Sequence, residues 1–367
     1  MSTSLSIGIV GLPNVGKSTL FNAFLKRQQA LSANYPFATI DPNIGVVDVY
    51  DERVDKLAEI SQSEKKVYTN ITFVDIAGIV EGAHKGEGLG NQFLANIREV
   101  DLLLVLLRDF NDENIVREGS KNPVSDYQTI LTELILKDLE TMESQAGKAK
   151  KKPENKAEED FNSGVKKISE TLNKNLPASQ TVLTEDEEIE TRRLHLLTNK
   201  PILKLLNVDE GSLKAKFEAV SQKEAGKHYS DFDKNVELVV SAQIESELAT
   251  LADEDRELYL KDLGLSESPL NFVIKVCYGI LGLQTFLTSG VKESRAWKFR
   301  KGMNAKECAG VIHTDFENNF IKAEVIKYED YVNLGGKNAC KEAGKLRLEG
   351  KEYLMQDGDV VEFRVGV

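Results

Sequence analysis

Apolar residues fall in short blocks along the chain, and the spacing of the blocks predicts most of its elements. Leu5 to Val10 reads as a short buried strand, followed at Lys17 to Arg27 by a helix. Ile71 to Val74 is a second apolar strand, ending at Asp75. The run Asp101-Leu102-Leu103-Leu104-Val105-Leu106-Leu107 has no polar alternation after its first residue, the pattern of a strand covered on both faces of a parallel sheet. Ile202 to Leu206 and Val236 to Val240 repeat that pattern later. Strands separated by helices predict an α/β fold, a doubly wound sheet whose ligand lies at the carboxyl ends of its strands.

Between Leu107 and Ile202 lie far more residues than one crossover helix needs. Ile130, Leu131, Leu134, Ile135 and Leu139 have helical spacing within Tyr127 to Met142. A Lys/Glu-rich stretch with Pro153 follows, and helical pattern resumes at Phe161 to Leu172 and Glu185 to Leu197. Apolar positions on both sides of the charged turn favour an inserted helical hairpin, with coiled-coil character, over a disordered loop. From about Gly282 the texture changes to short alternating strands at Ala296 to Arg300, Ile321 to Ile326, Lys345 to Leu348 and Val360 to Val365. Gly335-Gly336 and Asp357-Gly358 read as turns within this mostly β module. The expected organisation is therefore 1–125 with 199–281, an insertion over 126–198, and a C-terminal domain over 282–367.

Charge adds a contrast between the ends. The whole chain carries a formal net charge of -12, which disfavours non-specific binding to nucleic acid or a membrane surface. Residues 287–367, with 14 basic and 13 acidic side chains, are nevertheless close to neutral. Cys277, Cys308 and Cys340 are scattered, without metal-ligand spacing or a disulfide framework, and read as small buried residues in a reducing compartment. No apolar run approaches the roughly 18 residues of a membrane span, and the N-terminus lacks the features of a signal peptide. A cytoplasmic protein with neither membrane nor DNA as partner is expected.

The strongest chemical signal is Gly11-Leu-Pro-Asn-Val-Gly16-Lys17-Ser18, lying between a predicted strand and a predicted helix. In this phosphate-binding loop the backbone N–H groups of Asn14, Val15, Gly16, Lys17, Ser18 and Thr19 point at the phosphates, aided by the helix N-terminus. Lys17 is the expected catalytic cation, reaching the β- and γ-phosphates, and the Ser18 hydroxyl is an expected Mg²⁺ ligand. Asp75-Ile-Ala-Gly78 supplies a carboxylate for the same metal and an amide for the γ-phosphate. Thr39, in a loop between helix and strand, completes the expected metal shell; the other reading is a turn threonine. Asn14 is placed to hold a monovalent cation such as K⁺. The residue after Gly78 is Ile79, where Ras-type enzymes carry the glutamine that orients water. His84, in the glycine-rich Gly82 to Gly90, fills that role if the loop folds inward; otherwise it is solvated and inert.

Guanine is read in such sheets by Asn-Lys-x-Asp, and the corresponding segment is Asn207-Val208-Asp209-Glu210. Valine replaces the lysine and glutamate the aspartate, and an extra methylene displaces the carboxylate beyond a hydrogen bond's tolerance. Asn207 can accept from the amine of adenine, while Ser241 and Ala242 are placed for backbone contacts to the base. ATP is favoured and GTP is expected to bind more weakly, although Asp209 or Glu210 could still capture guanine.

Gly11 to Thr19, Asp75-Ile-Ala-Gly78, Gly86-Glu-Gly-Leu-Gly-Asn-Gln-Phe93 and the altered base segment together resemble the YchF / Obg-like ATPase family. Arg295-Ala-Trp297, Gly310 to Phe316, Glu342 to Lys345 and Gln356 to Asp359 are similar to its TGS domain. The resemblance implies a G-domain-like P-loop sheet, an inserted coiled coil and a β-grasp TGS domain. It also implies an ATPase that associates with ribosomes. The TGS domain and the hairpin tip at Lys148 to Lys152 would meet ribosomal RNA. Arg295, Lys298, Arg300 and Lys301 around Trp297 read either as an RNA-contacting strip or as a strand with a core tryptophan and solvated charges. A GTPase translation factor and a nucleotide-gated RNA-binding protein with vestigial hydrolysis remain open as alternatives.

Overall fold

The apolar run ending at Leu107 lies, as its composition requires, in the middle of a sheet. A computed structural model describes residues 5–32, 43–76, 96–112, 121–146, 153–224, 227, 229, 232 and 236–366. Its first six-stranded sheet has the order β2 (Ile44–Val49), β4 (Thr69–Asp75), β1 (Ser6–Val10), β5 (Leu102–Asp109), β6 (Ile202–Val208) and β7 (Glu237–Val240). All neighbours are parallel except the edge pair β2 and β4. Helix α1 (Lys17–Ser32) covers one face, burying Leu20, Phe21 and Phe24, and Phe24 stacks on Phe73 of β4 at 4.3 Å.

The second sheet has the order β11 (Arg347–Glu349), β10 (Phe320–Lys327), β12 (Asp359–Val365), β8 (Leu283–Ser289), β9 (Glu293–Arg300) and β3 (Lys65–Val67). Its last strand comes from far upstream: Lys65 to Val67 pair in parallel with Glu293 to Arg295. Helix α2 (Glu52–Ser61) accompanies it, burying Val54 and Leu57 against Leu287, Ala296 and Ile326. The boundary expected at residue 282 therefore misses a piece, because residues 52–67 pack with the C-terminal domain. That domain is also less β-rich than expected. Helices at Ala305–Ile312, Thr314–Asn318, Tyr328–Leu334 and Lys337–Glu342 fill the intervals. Gly335-Gly336 ends the third of these, where left-handed Gly335 (φ 83°) and Gly336 donate to the Tyr331 carbonyl, so the pair terminates a helix and does not join two strands.

The insertion is helical as expected, with different edges. Helix α3 (Pro123–Ala146) is shared: Ile130 and Leu134 pack into the first sheet's core, whereas Ile135 and Met142 form a separate core with Val165, Ile168 and Leu172 of helix α4 (Lys156–Leu172). The helix expected over Glu185 to Leu197, α5 (Glu185–Thr191), stops at Thr191 and continues as two single 3₁₀ turns, separated by left-handed His195. Buried Asp138 on α3 fastens the second turn, accepting from the N–H groups of Leu197 and Thr198 at 2.8 Å each. Burial raises its carboxyl above the ordinary range against those hydrogen bonds. All three cysteines are buried, and no helix among the described residues is long and apolar enough to cross a membrane.

Arg53, at the start of α2, joins the two sheets. It donates from Nε and Nη2 to Asp51 at 2.8 and 2.7 Å and from Nη1 to Asp357 at 2.7 Å, while Asp357 accepts from the Thr285 N–H at 2.7 Å. Replacing it by Met leaves two largely buried carboxylates without their cation. Arg53→Met should lower unfolding free energy by about 2 kcal/mol, less than for a fully buried pair because the side chains retain some exposure. A urea midpoint equal to the parent's would show the clamp to be dispensable.

Candidate functional site

Val10 ends β1 and Lys17 begins α1, so residues 11–16 form a tight loop at the carboxyl edge of the first sheet. Two glycines are required there by space. A Cβ on Gly11 would lie 2.8 Å from the carbonyl oxygen of Leu106 on β5. Gly16 has φ 93°, and a Cβ on it would lie 2.4 Å from the Asn207 side-chain nitrogen. Asn14 is also left-handed, at φ 61°, a conformation that asparagine tolerates better than most residues. The loop ends with the Lys17 ammonium donating to the carboxylate of Asp75, the last residue of β4. Both side chains are mostly buried, at 13% and 18% exposure. Two opposite charges thus converge at the N-terminus of a 16-residue helix, whose free N–H groups favour an anion.

Asn207 faces this loop from β6. Its amide donates to the Val15 carbonyl at 2.9 Å and its oxygen accepts from the Ala242 N–H at 2.9 Å. The expectation that this oxygen accepts from an adenine amine is narrowed: one of its two lone pairs is taken by the Ala242 N–H, itself expected to meet a base. An amide nitrogen carries two hydrogens, so a donor remains for a ligand. Asp209 is occupied as well, capping the helix α6 (Glu210–Lys223) by accepting from Ser212 N–H at 2.9 Å. Val208 is buried, and Glu210 is exposed at the helix start.

Asn14, Gly16 to Thr19, Asn207 to Glu210, Ser241 and Ala242 line one cleft of about 800 Å³. Phe110, Asn111, Asp112 and Gln243 line it too, and the hydrophobic pattern had not singled them out. Their one signal is position: the first three follow directly on a strand whose carboxyl end faces the ligand side. Thr39, Gly78, Ile79 and His84 lie outside the described residues, as does the hairpin tip at Lys148 to Lys152.

Among the described residues no three His, Cys, Asp or Glu side chains gather to hold a metal. The Ser18 hydroxyl, which lines the cleft, and the Asp75 carboxylate, which holds the cleft's Lys17, are hard oxygens. They suit Mg²⁺, which commonly takes one or two protein ligands together with phosphate oxygens and water.

The expected basic strip around Trp297 is not one surface. Trp297 packs at the edge of the second sheet's core, its Nε1 donating to Thr288 at 3.0 Å, with the Arg295 guanidinium 4.0 Å over its ring. Lys298 leaves on the opposite face of the strand and donates to the Asn70 carbonyl at 2.9 Å, where burial lowers its pKa. Strand alternation separates what linear sequence had grouped.

Comparison with known proteins gives concordant matches. Residues 6–207 match a family model described as 50S ribosome-binding GTPase, and residues 283–366 match YchF-GTPase_C, described as a protein of unknown function (DUF933). The chain is 48% identical over 368 residues to the ribosome-binding ATPase YchF of Bacillus subtilis (strain 168), covering 99% of this chain and 100% of that protein. The Escherichia coli O157:H7 protein of the same name is 43% identical over 368 residues, covering 98% and 99%. The solved Schizosaccharomyces pombe YchF GTPase superposes with a TM-score of 0.84 at 35% identity, covering 99% and 98%.

Gly16→Ala meets both a left-handed backbone and the Asn207 amide. It should destabilise the fold by roughly 1–3 kcal/mol, and Asn207→Ala should relieve only the steric part. Thermal unfolding of the two single variants and the double variant checks this; strictly additive losses would show that the two residues do not collide.

Proposed function

Because this chain belongs to the YchF family, we propose that it works as an ATP-hydrolysing P-loop switch that associates with the ribosome. It is a P-loop nucleoside triphosphatase. The observation that carries the reading is the convergence of Lys17 and Asp75 at the mouth of the glycine loop, beside the α1 N-terminus. Lys17 is the cation that would neutralise charge on the γ-phosphoryl group as water attacks in line. Mg²⁺, when bound, supplies further neutralisation of the phosphate oxygens. Ser18 and Asp75 would hold that metal, with Thr39 completing its shell. The backbone N–H groups from Asn14 to Thr19, together with Gly78, would hold the phosphates. Asn14 is the residue for a monovalent cation and His84 the residue for the attacking water.

The preference for ATP over GTP rests on what the base side lacks. Guanine presents N1–H and an amine that need a facing carboxylate. Asp209 is engaged at a helix cap and Glu210 is displaced by its longer side chain. The Asn207 hydrogen left for a ligand suits N7, which adenine and guanine share, so Asn207 contributes affinity without choosing between them. Val208 and Ser241 complete the base side.

Domain roles follow the expected units: 1–125 with 199–281 bind nucleotide, 126–198 project as the helical arm, and 282–367, joined by 52–67, form the TGS module. The last two are the proposed ribosomal RNA contacts, which sets the work in the cytoplasm. The Arg295–Trp297 pair is the part of the basic strip that still presents a cation and an aromatic together.

Relatives carry both ATPase and GTPase in their names, so titration of the nucleotide-free protein with Mg-ATP and Mg-GTP is the first test. Tighter ATP binding is expected; a preference for GTP would return guanine reading to Asp209 or Glu210. Lys17→Ala should cut ATP turnover by about 100-fold or more, and retained activity would remove Lys17 from the site. Added ribosomes should raise turnover in the parent, and their failure to do so would favour a nucleotide-gated binder with vestigial hydrolysis.

A further inference from the structure

Arg108 is the largest fully buried side chain among the described residues, at 1% exposure, on a strand otherwise composed of apolar residues and Asp109. A guanidinium stays charged at any ordinary pH, so its burial at the end of β5 calls for a reason. Two of its partners lie two and four residues ahead. Nε donates to the Phe110 carbonyl at 3.4 Å, Nη2 donates to the Asp112 carbonyl at 3.2 Å, and the guanidinium carbon lies 4.5 Å over the Phe110 ring. Asp109, between them, is anchored separately by Lys216 at 2.6 Å. Arg108 is also the register partner of Asn207.

We propose that Arg108 is a positioning residue for nucleotide binding: it fixes the Phe110 ring and the Phe110–Asp112 backbone as one wall of the base end of the cleft, without itself reaching the nucleotide. The inference rests on reading the cleft as a nucleotide site. A flat apolar ring offers a purine a stacking face, and that face helps only if its orientation is set before the base arrives. The planar guanidinium fork engages two carbonyls and the ring together, which an ammonium cannot do.

The probes are Mg-ATP and inorganic tripolyphosphate with Mg²⁺, which has the phosphates and no base. Calorimetric titration would compare the parent with Arg108→Lys, Arg108→Gln, Phe110→Leu and the double variant Arg108→Lys/Phe110→Leu. Each single change should weaken Mg-ATP about tenfold and raise KM for hydrolysis at unchanged kcat, while tripolyphosphate binding stays at the parent's level. The double variant should be no weaker than the singles, since both act through one ring. Equal loss for tripolyphosphate, unchanged Mg-ATP affinity, or losses that multiply in the double variant would each overturn the proposal. Loss of cooperative unfolding in both Arg108 variants would overturn it too, by making Arg108 a folding residue. A parent that binds neither probe would instead sink the reading of the cleft and leave Arg108 without a nucleotide to position.

Discussion

The site depends on the carboxamide of Asn207. Its two halves are used in different directions, one by the loop after β1 and the other by the turn after β7. Those segments are remote in sequence, and this side chain hydrogen-bonds to the main chain of both. Losing it would leave a buried carbonyl and a buried N–H without partners, a cost of about 1–3 kcal/mol for each. The brace also explains a constraint inside the phosphate loop. Gly16 has no room for a Cβ because the Asn207 nitrogen stands where one would go. Phosphate end and base end are thus one rigid assembly, and a change at either reaches the other through contact.

A second continuity runs through the chain between residues 65 and 75. β3 is a strand of the C-terminal sheet, and β4, beginning two residues later, crosses the nucleotide-binding sheet to end at Asp75. Lys298 reaches back to Asn70, the second residue of β4, and Arg53 bonds to Asp51 and Asp357. The C-terminal module is therefore mounted on the strand whose far end carries the carboxylate beside Lys17. Ser61 and Ser63, hydrogen-bonded to Ser289 and Ser294 at 2.8 and 2.9 Å, extend the same seam. A domain joined to the rest only by its linker would show none of these contacts.

What could be read from sequence follows the range of the interactions concerned. β5 is legible because burial on both faces demands uninterrupted apolar residues, β6 and β7 because they are mostly apolar despite Lys204 and Glu237, and the glycine loop because its residue types serve the backbone directly. β3 left no such trace, since Lys65-Lys66-Val67 is too short and polar to show a period. Its strand character comes from β9, more than two hundred residues downstream. Gly335-Gly336 was ambiguous for a different reason: glycine permits a positive φ equally well at a hairpin and at a helix end. Linear reading groups Arg295 with Lys298, which alternation puts on opposite faces, and it gives no signal for Arg108, whose partners include main-chain carbonyls. Asn207 is singled out by sequence as a residue, but its bonds to the Val15 carbonyl and the Ala242 N–H are not legible there, because they depend on how two distant loops fold.

That last distinction bears on how such a cleft chooses its base. Discrimination need not come from a residue that recognises adenine. An amide hydrogen aimed at N7 serves either purine, and a ring face stacks on either. Guanine additionally brings two donors on its Watson–Crick edge that water satisfies before binding. On the reading proposed here, with Asp209 Oδ1 accepting at the α6 cap and Glu210 longer than aspartate by a methylene, those donors would be poorly met. Each such group costs about 1–3 kcal/mol, which corresponds to roughly 5- to 150-fold in affinity. Adenine lacks that N1 donor and bears its amine elsewhere on the ring, so on this reading it would bring one fewer donor to be met. Preference by omission also fits a site whose best hydrogen-bonding side chain is already engaged in holding the phosphate loop in shape.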